Sequence, residues 1–337
     1  MDIRNTLLAF SPIPIALALA ATCLAGEAAS TPPPVAPGAA RLVPSLPVAG
    51  RMRLLIDTDA ANEIDDLYAI ALVLRSPDRF QLEGFVATHF LEGNTVDSPK
   101  TIELSYAVIK ELLASEAGGS AIRVERGGAL LRSLSDASDS AGARFIIERA
   151  HAGTPEEPLW VVALGAASNV ASALLLDPGI ADRIRVVFHA RSEQSWPERS
   201  EQFNVKGDVL AARSLLASKV PLVWFDTGAQ LTAPMAETER LLALGGMPAF
   251  LHKYRMRQDY FRSEKKGFFD LGDIAWLIDP ATCVQEEVDV PHMDQQMRFV
   301  QNHDLGRMIR VYSCRREPVW KLFYSRMGIT AGNQGKQ

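Results

Sequence analysis

Four aspartates, Asp57, Asp59, Asp65 and Asp66, follow the apolar residues Leu54, Leu55 and Ile56 and precede the apolar run LYAIALVL. The first apolar stretch reads as a buried strand and the second as the opening of a helix. Folding alone does not ask for so many acids at such a junction. Crowded carboxylates in a cleft have two stable solutions: they hold a hard cation, or some keep their protons. A water on such a cation, beside a carboxylate able to take its proton, is a nucleophile for hydrolysis. Helix capping explains Asp65 and Asp66, because negative charge favours a helix N-terminus. It leaves Asp57 and Asp59 without a role.

These acids need elements to position them. Strand-like runs occur at Arg53–Ile56, Gln81–Thr88, Ile122–Val124, Leu159–Leu164, Ile184–Phe188 and Pro221–Phe225. Between them, Asp65–Leu74, Thr101–Leu113, Ser140–His151, Ala167–Leu176 and Asp208–Ala217 carry apolar residues every three or four positions. This alternation predicts an α/β fold, an open and mostly parallel sheet with helices on both faces. Sites in such sheets lie beyond the carboxyl ends of the strands. Those ends carry Asp57–Asp66, His89–Asn94, the tight turn Gly165–Asn169 and the polar loop His189–Asn204.

The last third changes character. Ala236–Leu244, Pro248–Phe261, Ile274–Ile278 and Trp320–Met327 read as helical, and Cys283–Val290, Gln296–Val300 and Arg310–Ser313 alternate like antiparallel strands. A smaller C-terminal helical and antiparallel β portion is therefore expected.

A chain of 337 residues with 47% hydrophobic content can bury a large core. Its net charge of -5 gives no electrostatic footprint for nucleic acid. Residues 1–30 read as a secretory signal peptide: an apolar run soon after Arg4 ends in small residues. Pro12 and Pro14 break that run and argue against a permanent membrane span. Cys23 stands where a lipid anchor would attach, but Ala20-Ala21-Thr22 is a poor context for one. Residues 31–50, opening TPPPVAPGAA, read as a Pro-rich linker, and 51–330 as the folded domain. The expected location is periplasmic or secreted. Cys283 and Cys314 allow one disulfide there, and no second Cys or His near either has zinc-ligand spacing.

Beyond these readings, DTD…DD after an apolar strand resembles the DxDxxxDD signature of the calcium-dependent nucleoside hydrolases (inosine/uridine-preferring). Four further segments resemble that family in order: Gly127–Leu131, Val161–Pro178, Glu201–Leu222 and Phe269–Pro280. The resemblance covers roughly residues 52 to 325. It implies one Ca²⁺ ion held by Asp59, Asp66, Asp270 and the Leu164 carbonyl, with metal-bound water as nucleophile and Asp59 as general base. Asp65, Asn94, Gln202 and Asn204 would bind the ribose, with Asp57 in support, and hydrolysis of the N-glycosidic bond would pass through an oxocarbenium-like state. It also implies a small-molecule nucleoside-like substrate and a homodimer or homotetramer.

Three departures accompany the likeness. Five residues separate Asp59 from Asp65 where the family has three, so Asn62 or Glu63 can reach the sugar or metal. Gln202 replaces a Glu, and Phe269 replaces the histidine that helps the base leave. Tyr254, Arg257 and Tyr260 are candidates to stack on or protonate a base, unless they simply pack an amphipathic helix. His89 is a further candidate, and Trp196 either lids the pocket or stabilises its own loop. His303-Asp304 reads as a hairpin turn. Two alternatives stay open. One is a haloacid dehalogenase-like phosphatase, which also has DxD but wants Thr or Val where Ala61 stands. The other is a non-catalytic nucleoside- or sugar-binding protein on the same fold, which Phe269 and Gln202 favour.

Overall fold

The computed structural model describes residues 41–329 except 49, 193 and 302. The residues read as a signal peptide, Cys23 among them, and most of those read as a linker lie outside the described residues. Ten strands are present among the described residues: β1 (Met52–Thr58), β2 (Phe80–Ala87), β3 (Val124–Arg126), β4 (Leu159–Ala163), β5 (Ile184–His189), β6 (Leu222–Phe225), β7 (Cys283–Asp289), β8 (His292–Met293), β9 (Phe299–Val300) and β10 (Arg307–Cys314). The helices are α1 (Asp65–Leu74), α2 (Ser98–Ala114), α3 (Ala141–His151), α4 (Ser168–Leu176), α5 (Phe203–Gly207), α6 (Val209–Ala217), α7 (Met235–Glu239), α8 (Gly246–Arg255), α9 (Leu271–Ile278) and α10 (Arg316–Arg326).

The main sheet has eight strands in the order β3-β2-β1-β4-β5-β6-β10-β7. All neighbours pair in parallel except β10 with β7. Central strands of such a sheet are covered on both faces, so they read as continuous apolar runs. β1 and β4 do so: Leu54 and Ile56 enter one apolar layer with α1 and α9, while Leu55 and Val161 enter the other with α3 and α4. The chain builds outward from β1 to β3, then returns to place β4 on β1's other side. That reversal opens a crevice at the carboxyl ends of β1 and β4, where the acids stand.

Helix α1 follows β1 after a six-residue turn and is apolar nearly all round; nine of its ten residues are buried. It packs on α9, itself buried at seven of eight positions. Both helices are held by burial rather than by capping side chains, and each brings an acid to its first turn or N-cap.

The expected C-terminal helical and antiparallel β portion is present. β7 and β10 pair antiparallel, but β10 also pairs in parallel with β6 and so extends the main sheet. Only β8 and β9 form a separate antiparallel pair. β10 is buried from Met308 to Val311, which suits an interior strand. Arg41 lies within the residues read as a linker. The Arg41 guanidinium is buried and donates to the Leu216 carbonyl at 2.7 Å and to the Ser218 carbonyl, so the chain docks on the end of α6 before β1 begins.

One glycine is required by geometry. Pairing of β1 with β2 slips by one residue between Leu54 and Leu55, which leaves Glu83 bulged and Gly84 at φ +147°. A Cβ on Gly84 would stand 2.7 Å from the Arg123 carbonyl and 2.9 Å from the Phe145 ring. Gly84→Ala should therefore cost about 1–3 kcal/mol, read as a lower urea midpoint at unchanged slope.

Candidate active site

A cavity of ≈ 240 Å³ opens at the carboxyl ends of β1, β4 and β5. Asp59, Asp65, Asp66 and Asp270 line it, with Leu164, Gln202, Asn204 and Tyr260. Asp59 comes from the end of β1, Asp65 and Asp66 from the first turn of α1, and Asp270 from the N-cap of α9. Three chain segments distant in sequence thus bring their acids to one place.

The four are nearly sealed from solvent. One oxygen each of Asp65, Asp66 and Asp270 lies within 4.8 Å of the others. Oxygens sharing one calcium ion at about 2.3–2.6 Å can lie no farther apart than about twice that. The donor set fits a hard cation: it is oxygen only, and Oδ2 of Asp59 is buried without a partner. Without a cation, burial and mutual repulsion favour the protonated forms of Asp59, Asp66 and Asp270. Burial, reinforced by Asp65, pushes the Asp66 carboxyl up to about 7, against hydrogen bonds from Thr58 and Asp270. Burial and the neighbouring acids hold Asp59 and Asp270 well above the usual carboxylate range.

Asp57 stands behind this cluster, outside the cavity lining. Its Oδ1 accepts the Asn169 amide at 2.9 Å, and Asn169 Oδ1 accepts the Gly128 N–H at 2.8 Å. Burial pushes Asp57 up to about 8. The turn after β3, the turn into α4 and the end of β1 are thereby tied together through one amide. A Cβ on Gly127 would strike that amide at 2.5 Å.

Asp65 has a cationic partner that the sequence did not announce. Lys266 Nζ, fully buried, lies 3.1 Å from Asp65 Oδ1 and 2.6 Å from Glu63 Oε2. The other Asp65 oxygen accepts the Phe269 N–H at 3.0 Å. Glu63 belongs to the lengthened turn, and the Tyr260 hydroxyl hydrogen-bonds it. The extra residues are therefore pinned over the cavity rather than loose. Burial opposes the charge on Lys266, but Asp65 and Glu63 outweigh it and hold the ammonium above its ordinary value.

Beside Asp270, His189 Nδ1 lies 2.7 Å from Asp273 Oδ2 and 3.6 Å from Asp270 Oδ1. Its Nε2 is buried without a partner. The Asn204 amide donates to the Leu164 carbonyl and, at 2.9 Å, to the His189 carbonyl. That ties the end of the loop 190–204 to β4 and β5. Phe269 lines the cavity with the Arg191 guanidinium 3.9 Å above its ring. Arg191 sits at φ +42°, a strained setting of the kind that clusters at functional sites.

Several expected residues fall elsewhere. Asn94 is exposed in a tight turn closed by Glu92 N–H to the Thr95 carbonyl at 2.9 Å, and it does not line the cavity. Tyr254 is buried between Phe250 and Phe261, beneath Arg257, so it packs α8 and does not face the cavity. Arg257 pairs with Glu111 at the surface. His89 is buried against Ser168 at 2.8 Å, where burial lowers it to about 4. Trp196 packs on Phe299 and Arg310 rather than over the cavity. His303 pairs with Asp289 in the turn before β10.

Residues 54–321 match the family model described as inosine-uridine preferring nucleoside hydrolase. No curated protein sequence is significantly similar to the chain. Among solved structures, the purine-preferring ribonucleoside hydrolase from Gardnerella vaginalis aligns at 20% identity over 82% of this chain and 98% of its own, with TM-score 0.63. A plant nucleoside hydrolase aligns at 17% identity over 83% and 99%, with TM-score 0.64. An inosine-guanosine nucleoside hydrolase aligns at 17% over 83% and 100%, also with TM-score 0.64. At these identities the likeness is one of fold.

Two outcomes follow from this geometry. The buried acids hold protons more tightly folded than unfolded, so their stabilising contribution is complete below about pH 4 and is lost as pH rises through about 7 to 8. Urea midpoints of cation-free protein should fall over that window, Asp66→Asn should flatten the fall, and a saturating divalent cation should oppose it. Lys266→Met should leave Glu63 and Asp65 facing one another in a dry site. It should lower unfolding free energy by roughly 3–5 kcal/mol, measured by the same titration at pH 7.

Proposed function

The chain belongs to the inosine-uridine preferring nucleoside hydrolase family and is a hydrolase of N-glycosyl compounds, and from that premise we propose that it cleaves a nucleoside or related ribosyl compound with the help of calcium. The observation that carries this reading is the convergence of Asp59, Asp66 and Asp270 in one buried, oxygen-lined cavity. Asp59, Asp66, Asp270 and the Leu164 carbonyl would hold the ion. When bound, such a cation supplies Lewis-acid activation of water at neutral pH.

The protein's own groups supply the rest. Asp59 takes the proton of the attacking water at Oδ2, the carboxylate oxygen that no protein group occupies. The water oxygen bonds to the anomeric carbon, the bond to the base nitrogen breaks with its electron pair staying on the base, and the departing base takes a proton from solvent. Carboxylates around the ring stabilise the positive charge that develops on the sugar. Asp65 is presented to the sugar hydroxyls in a fixed orientation by Lys266 and the Phe269 N–H, with Gln202, Asn204 and Tyr260 also lining the cavity. No histidine precedes Asp270; His189 and Arg191 are the polar cavity groups near Phe269 available to the base.

The protein is further read as periplasmic or secreted, carried there by residues 1–30, and as a homodimer or homotetramer. Among the described residues no helix is long and apolar enough to cross a membrane. A second reading, a binding protein that keeps the site without turnover, is favoured by Phe269 and by the engagement of Asp65 with Lys266. The phosphatase alternative does not survive the family match.

A reducing-sugar assay over a nucleoside panel, with calcium and with chelator, separates these readings. Hydrolysis should require the cation, and Asp59→Asn should lose about 10²–10⁴-fold in kcat with an unchanged circular dichroism spectrum. Full activity of that variant would overturn the mechanism. Calcium binding by calorimetry without release of any base would favour the binding protein.

A further inference from the structure

We propose that Cys283 and Cys314 form a disulfide that clamps the edge strand β7 to β10, directly beneath the helix that carries Asp273 and follows Asp270. The two residues are register partners across the antiparallel pair, and their sulfurs lie 2.9 Å apart. Directly opposed residues in antiparallel strands have Cα atoms about 4.5–5.5 Å apart, inside the range of about 4.4–6.8 Å that a disulfide spans. Both side chains are buried and stand as thiols here.

The register that joins them is a built feature. Val311 faces Gln285, and regular pairing would then set Ser313 opposite Cys283. One extra residue in β10 between Val311 and Ser313 shifts the partners, so Ser313 faces Val284 and Cys314 faces Cys283. The bulge thus aims one sulfur at the other.

The position gives the bond something to do. Among the described residues β7 pairs only with β10 and stands at the edge of the sheet, and an edge strand is where a sheet opens most readily. On the inner side, Gly272 of α9 faces the Cys314 sulfur; a Cβ there would lie 2.8 Å from it. Gly272 stands between Asp270 and Asp273, so the sulfur pair forms part of the floor under that turn. The cross-link would close a loop between residues 31 apart in sequence. Formation takes one low-molecular-weight disulfide: two protein thiols lose two protons and two electrons, one S–S bond forms, and two small thiols are released.

The test is refolding of the reduced full chain in a buffer of reduced and oxidised glutathione, followed by intact mass and peptide mapping under non-reducing conditions. The expected product is lighter by the mass of two hydrogens and yields a peptide linking Cys283 to Cys314. Its unfolding midpoint should exceed that of the reduced chain by roughly 5–10 °C, and dithiothreitol should abolish the difference. The C283S/C314S double variant should show neither the mass loss nor any response to reductant. Alkylation of both cysteines after refolding, a cross-link to Cys23, or a stable glutathione adduct would overturn the proposal.

Discussion

Mutual repulsion among carboxylates in a dry cavity is the constraint on which the rest of this structure depends. Asp59, Asp65, Asp66 and Asp270 would separate if the chain allowed it. They are kept together because each is fixed by an element whose own burial is large. β1 is locked between β2 and β4, and α1 and α9 are apolar on nearly every side. Apolar packing therefore supplies the force that holds like charges close. Protons, a cation and one lysine are the means of relieving the repulsion locally.

The wall of the cavity is organised by a small number of amides and turns. Asn169 ties Asp57 to the turn after β3, and Asn204 ties the carbonyls that end β4 and β5. Asn169 joins a carboxylate to a backbone N–H and Asn204 joins two backbone carbonyls, so each fixes the spacing of strand ends. Their loss would change the shape of the site without changing its charge. The acids give the cavity its charge, and the amides set the distances between the strand ends around it.

Much of this was legible before any coordinates. α1 and the parallel strands follow from apolar runs that need both faces covered, and Asp59, Asp66 and Asp270 could be named from a family signature. β10 was harder, because alternation shows that a strand is half-buried but not which neighbour it joins. His189 and Asp273 carried usable signals that went unread: one ends a parallel strand, the other stands three residues after Asp270 on the same helix face. Lys266 carried none, since two adjacent lysines ordinarily mark a solvated surface. Asn94 and Tyr254 lie away from the cavity for a related reason. Position after a strand or on an aromatic helix limits where a side chain can point, and packing then decides where it does.

The bridge from Lys266 to Glu63 and Asp65 has one more consequence. A tethered ammonium is a counter-ion that cannot diffuse away, so the acid cluster is never wholly without positive charge. A newly made chain can therefore close its core with part of the repulsion already relieved from within. Assembly of the cleft does not have to wait for an outside cation.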